Sequence, residues 1–225
     1  MKNSKLRRIL LTLACAVLLV SLSVGATLAY LTSTTGVVEN TFTVGKVKID
    51  LDEAKVDVYG DEVANADRVT ENVYKLLPAH EYTKDPIVYV KAGSEQCYVF
   101  VKVVNQIAAI EDSANTIAAQ MTANGWHQLV VDGADVENVF YYKDVVDART
   151  ATADIKLPVF KTFKISADVL NGVDEGETKD PSKLYITDYT TEDNDTVVTI
   201  QAYAIQKDGF DNAAAAWTAQ AGNFQ

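Results

Sequence analysis

Two histidines, one cysteine and one acidic turn are the places where this chain has residue types that do chemistry. His80 is followed by Glu81, the opening of a zinc-protease motif, and that chemistry needs a second histidine one helical turn on so that both imidazoles reach one metal. Tyr82, Thr83 and Lys84 come next instead, and His127 is the only other histidine. The stretch therefore reads as a connection between strands, and no metal site is expected at His80. Glu192-Asp193-Asn194-Asp195 offers the hard oxygen ligands that calcium takes, but not at the spacing of an EF-hand loop, so it reads as a solvated turn. Cys97 opens the apolar run Cys97-Tyr98-Val99-Phe100-Val101-Lys102-Val103-Val104 with no histidine beside it, which points to a buried structural thiol. There is no Gly-rich phosphate loop, no nucleophile elbow and no cysteine pair spaced for zinc. The expectation is no catalytic residue, no metal ligand and no cofactor.

The elements that would position any site begin with an export signal. Lys2, Lys5, Arg7 and Arg8 precede an uncharged apolar run from residue 9 to residue 29, the pattern of a positive n-region and an apolar h-region. An uncleaved anchor is the other reading, since a run of this length spans a bilayer at about 1.5 Å per residue. Gly25-Ala26-Thr27-Leu28-Ala29 supplies small, uncharged positions at its end, which favours a cut between Ala29 and Tyr30. Removing the four n-region cations from 20 Lys+Arg leaves 16 against 31 Asp+Glu, so the mature chain carries about −15. Nucleic acid and anionic membrane surfaces repel such a chain. Cys15 leaves with the signal, so Cys97 has no partner for an intramolecular disulfide, and stability must come from apolar burial.

Strand signals fill most of the mature chain. Phe42, Val44, Val47, Ile49 and Leu51 define one apolar face whose period slips at Gly45-Lys46, the mark of a β-bulge. Residues 52–69 read as a charged loop or short edge hairpin turning at Tyr59-Gly60-Asp61, and residues 73–78 as a short strand stopped by Pro78. Residues 85–91 and 95–105, joined by Ala92-Gly93-Ser94, read as an antiparallel pair. Ile107, Ile110, Ala114, Ile117 and Met121 fall at helical spacing and predict a short or broken helix. Residues 126–131, 139–143 and 155–165 read as three more strands, 168–182 as an exposed loop, 184–189 as a short strand and 196–206 as the clearest strand of all. Asp211 is placed to cap a closing helix over residues 212–220 that carries Trp217. Eight to ten strands with little helix argue for an all-β, jelly-roll-like two-sheet sandwich.

Several stretches resemble a known family. Gly25-Ala26-Thr27-Leu28-Ala29-Tyr30-Leu31-Thr32, followed by Asn40-Thr41-Phe42-Thr43-Val44-Gly45, is similar to the signal and mature start of Gram-positive proteins cut by a SipW-type signal peptidase. Thr83-Lys84-Asp85-Pro86, Tyr98-Val99-Phe100-Val101-Lys102-Val103, Leu157-Pro158-Val159-Phe160 and the run from Ala202 to Phe210 resemble the domain of the mature protein in the TasA/camelysin family.

The resemblance implies a signal peptide over 1–29, a mature N-terminal segment over 30–42 and a single jelly-roll-like domain over 43–225. It further implies a secreted structural subunit of biofilm-matrix or cell-surface fibres, with the chain itself as principal partner, the signal peptidase during export, and a minor anchoring or accessory fibre protein. In that family the N-terminal segment completes the sheet of the neighbouring subunit, which places the candidate donor strand on Tyr30, Leu31, Val37, Val38 and Phe42. Thr32-Ser33-Thr34-Thr35-Gly36 gives these residues little to bury against locally. Two other readings stay open. One is a camelysin-like cell-surface metalloprotease, for which the second histidine is missing. The other is an adhesin binding host or polysaccharide ligands through the 52–69 or 168–182 loops.

Overall fold

Runs of β-branched and aromatic residues at alternate positions form nine strands among the described residues. They are β1 (Ile49–Asp52), β2 (Glu81–Thr83), β3 (Ile87–Val90), β4 (Cys97–Asn105), β5 (Trp126–Val131), β6 (Ala134–Tyr142), β7 (Ile155–Pro158), β8 (Thr162–Lys164) and β9 (Val198–Gln206). Two short helices accompany them, α1 (Ile117–Ala123) and α2 (Ala213–Gln220), with a 3-10 turn at Ile186–Asp188. The computed structural model describes residues 45–173, 177–189, 198–220 and 222, all within the compact unit Val44–Gln225. Ala29, Tyr30, Leu31, Val37, Val38 and Phe42 lie outside the described residues, as does the acidic turn at 192–195.

The fold is all-β, and β1 to β9 pair antiparallel throughout, with one isolated parallel bridge between Leu170 and Tyr185 among the described residues. One sheet has the order β1-β3-β7, a second the order β5-β6-β4-β9, and β2 pairs with β8. The β2-β8 pair continues the β3-β7 ladder in the same register: Glu81 faces Lys164, Lys84 N–H donates to Lys161 O, Val159 N–H donates to Pro86 O, and Val90 faces Ile155. Pro86 and Pro158 lack the N–H that regular pairing needs, so the ladder is interrupted there without losing register.

The two larger sheets face one another across the main core. Val88, Val90, Leu157, Phe163 and Tyr82 from one side meet Cys97, Val99, Val101 and Val103 of β4 and the ring of Trp126. Burying each such side chain stabilises the fold by about 1.5–3 kcal/mol. The opposite face of β4 is covered as well: Tyr98 and Phe100 pack with Leu129, Val139, Tyr203 and Ile205 beneath Ala213, Ala216 and Trp217 of α2. Trp217 lies 5.2 Å from Phe100 and 5.8 Å from Tyr203, ring centre to ring centre. Burial on both faces explains why β4 reads as an almost unbroken apolar run.

Several expectations from the sequence need correction. β3 and β4 are not a hairpin; they belong to different sheets. The turn between them bonds elsewhere: Gly93 N–H donates to Ala148 O, Ala92 N–H to Asp154 Oδ1, and Ser94 Oγ accepts from Lys48 N–H. Residues 73–78 form no strand, because their main chain is claimed singly by distant groups, Lys75 N–H by Val58 O and Leu77 N–H by the Tyr82 hydroxyl. The helix expected from residue 107 starts only at Ile117, where the Thr116 hydroxyl accepts from Ala119 N–H, and Ile107 and Ile110 are buried within turns. Residues 155–165 are two strands, and 184–189 holds a 3-10 turn in place of a strand. Asn212, not Asp211, caps α2, its Oδ1 accepting from Ala215 N–H.

Candidate functional site

Two facing sheets have two long seams where their outer strands lie side by side. Along one seam, β7 and β8 run beside β5 and α1, and side chains close it. Trp126 Nε1–H donates to Pro158 O at 2.8 Å and Asn124 Nδ2 to Val159 O at 3.1 Å. The Gln120 carboxamide acts as a strand partner, its Oε1 accepting from Lys161 N–H and Thr162 N–H while its Nε2 donates to Thr162 O at 2.7 Å. Further along, Glu111 bridges to Ile165, with Asp112 N–H donating to Lys164 O and Ser166 N–H to Ile110 O. Burial raises the Glu111 carboxyl above the usual carboxylate range, against the lowering effect of its bonds to Ile117 N–H and Asn105. This edge has little main chain left to offer.

The other seam is built differently. β1 is the outer strand of its sheet and β9 of the other, and no strand among the described residues pairs with their outer edges. Lys91 N–H donates to Lys48 O and Glu95 N–H to Lys46 O, so the even-numbered residues of β1 face β3. Alternation along an antiparallel ladder then turns the main-chain groups of Ile49 and Leu51 outward. On β9, Lys207 N–H donates to Gln96 O, which by the same alternation turns Ile200, Ala202 and Ala204 outward. The side chains of these residues, with Val47 and Val198, lie against the main core and are only half-buried. Five outward-facing residues thus flank a strip of core that is only half-buried, and among the described residues Leu51 N–H finds the neighbouring Asp50 Oδ1 alone, at 3.0 Å. The arrangement can bind an extended chain: edge main chain supplies hydrogen bonds and the exposed strip supplies places for alternate apolar side chains.

Outside the seam, the residues of chemical interest are put to structural use. His80 Nε2 lies 2.8 Å from Tyr59 O, and its ring packs edge-on to Tyr82 at 4.5 Å. His127 sits on β5 against Tyr141. Among the described residues no three His, Cys, Asp or Glu side chains are grouped to hold a metal. Cys97 is fully buried, and its thiol is pushed up to about 11 by burial, with Asp147 adding to the effect.

One polar cluster had no signal in the sequence. Asp52, Glu53, Arg68, Asn72, Lys84 and Asp85 meet at the end of β1, with Lys84 Nζ 2.6 Å from Glu53 Oε2 and both side chains buried. Partial burial lowers the Arg68 guanidinium pKa, but the bonds to Asp85 and Asp52 outweigh it and raise the value overall. Its members are scattered over more than thirty positions of chain, so only the tertiary fold brings them together. Beside it, residues 55–58 and 71–73 line a cleft of about 300 Å3, and Val58, Tyr59, Val63 and Val73 are exposed around it. Comparison with protein-family models, curated proteins and solved structures finds no match to this chain.

Proposed function

We propose that this protein is a secreted structural subunit of extracellular or cell-surface fibres, with a jelly-roll-like sandwich of the TasA/camelysin kind and no enzymatic role. Copies join when the N-terminal segment of one, centred on Tyr30, Leu31, Val37 and Val38, enters the seam between β1 and β9 of the next. The observation that carries this reading is that two edges with no strand partner among the described residues lie on either side of a half-exposed apolar strip. Main-chain bonds gained by an added strand are worth about 0.5–1.5 kcal/mol each, and ordering the strand costs about 1–2 kcal/mol per residue. Apolar side chains buried against the strip decide the balance, which is what Leu31, Val37 and Val38 supply.

Entry of a strand also requires movement. β1 and β9 approach within 8 Å, Cα to Cα, whereas the two neighbours of an inserted strand stand about 9.6 Å apart. The seam must spread by about 2 Å or more, a barrier that keeps dilute subunits apart. The net charge near −15 on each mature copy acts in the same direction and is screened by salt.

The test compares the mature chain starting at Tyr30 with one starting at Thr43, by electron microscopy and light scattering after concentration. Fibres from the longer chain alone support the reading; two soluble monomers refute it. A second reading, an adhesin, rests on the exposed Val58, Tyr59, Val63 and Val73 around the 55–58 and 71–73 cleft. Replacing Val58 and Val73 by Ser with no change in surface adhesion would rule it out.

A further inference from the structure

The open edge of β1 has a definite end. One residue beyond β1, Glu53 N–H donates to Val69 O and Val69 N–H donates back to Glu53 O, both at 2.8 Å. Glu53 is the next residue of the outward-facing set after Ile49 and Leu51, so this chain segment occupies the position an added strand would take there. Arg68 fastens the segment. Its Nε bonds Asp52 Oδ1, its Nη1 lies 2.9 Å from Asp85 Oδ2, and its Nη2 donates to Asp85 O at 2.8 Å and to Asp52 O at 3.2 Å. Asn72 holds it from the far side, donating to Glu53 Oε1 at 2.9 Å and Ala54 O at 2.8 Å while its Oδ1 accepts from Val56 N–H. A planar guanidinium forked between Asp52 at the end of β1 and Asp85 just before β3 is a rigid fastening, which a lysine does not reproduce.

We propose that the Arg68–Val69 strap is a register stop: a strand added to β1 runs beside residues 47–51 and ends where Val69 already holds Glu53. This rests on the strand-accepting reading of the seam and names its occupant, the N-terminal segment of a second copy. Two facts favour that occupant. Residues 30–38 are nine in a row without a charge, ending at Glu39, and β9 presents a nine-residue edge opposite the shorter stretch of β1. With the strap in place, a strand is flanked on both sides for about five residues and by β9 alone beyond them; a slip of one residue would turn its apolar side chains away from the strip.

The test is hydrogen exchange read by mass spectrometry on the full mature chain, dilute and assembled, for the natural protein, Arg68→Ala, Arg68→Lys and Val69→Pro. In natural assemblies the protected amides of residues 30–42 end at one sharp boundary. Arg68→Ala still assembles, but its boundary moves by two or more residues or splits into several populations, and Arg68→Lys behaves in the same way. Val69→Pro removes the donor to Glu53 without touching the guanidinium and gives the same shift, which covers the case of an unfolded Arg68→Ala chain. A boundary identical in all four proteins overturns the register stop while leaving strand donation intact. Absence of protection at residues 30–42 in natural assemblies overturns strand donation itself, and protection already present in the dilute monomer overturns the second copy as occupant.

Discussion

The two seams of this molecule face the same physical problem and solve it in opposite ways. Along β7 and β8, each of Lys161 N–H, Thr162 N–H, Thr162 O, Pro158 O and Val159 O has a side-chain partner, drawn from Gln120, Asn124 and Trp126. Along β1 and β9, the outward groups of Ile49, Leu51, Ile200, Ala202 and Ala204 meet no strand among the described residues. Gln120, Asn124 and Trp126 close the first edge, and nothing among the described residues does the same for the second. The open edge is a hazard unless it is used, because an unpaired edge is a template for another chain.

The largest expected effect lies at the closed seam. Trp126→Ala removes a fully buried ring and the bond to Pro158 O, and should destabilise the subunit by about 3–5 kcal/mol. Chemical unfolding would register it as a lower midpoint, and a loss under 1 kcal/mol would show that this seam is not what holds the sheets together. Ile200→Ala at the open seam should cost about 1–2 kcal/mol, since its side chain is only half-buried.

Gln120→Leu sharpens the contrast by opening the closed edge. It strips partners from Lys161 N–H, Thr162 N–H and Thr162 O, and should cost about 1–3 kcal/mol. New association through β8, seen by light scattering even in the chain starting at Thr43, is the further expected outcome. Leu51→Lys works the other way. A long side chain carries its ammonium out of the half-exposed strip, so monomer stability should change by less than about 1 kcal/mol while fibre formation is lost. Unfolding midpoint and electron microscopy together separate the two effects.

The smallest effect concerns Cys97, which sits on the core face of β4 between the seams. Its folded pKa, about 11, lies above the unfolded value of ~8.5. The stability this contributes is fully present below the unfolded value and is lost as pH rises from ~8.5 toward 11. Thiol labelling at pH 8 should be slow in monomer and fibre alike, and Cys97→Ala should flatten stability against pH in that alkaline window. Rapid labelling of the monomer alone would mean that the open seam admits solvent to the core.

The sequence carried the strands far better than it carried their neighbours. β5 and most of β4 and β9 are legible from apolar runs and alternation, since these report local burial. Assigning β3 and β4 to one hairpin failed because Ala92-Gly93-Ser94 has ordinary turn chemistry, and what diverts it is bonding to Lys48, Ala148 and Asp154, remote in sequence. The seam was illegible for the same reason. Whether an edge is open depends on which strands end a sheet, and the residues that close the opposite edge, Gln120 and Asn124, look like ordinary polar positions of a short helix and its end. Arg68 likewise gave no sign that it would bridge Asp52 and Asp85.

The most direct measurement of the central claim tracks amide exchange on both seams as the full mature chain goes from dilute monomer to assembly. Protection should rise at Ile49, Leu51, Ile200, Ala202 and Ala204, and stay constant at Lys161 and Thr162. Assemblies that leave the first five amides exchanging as fast as in the monomer would contradict the account.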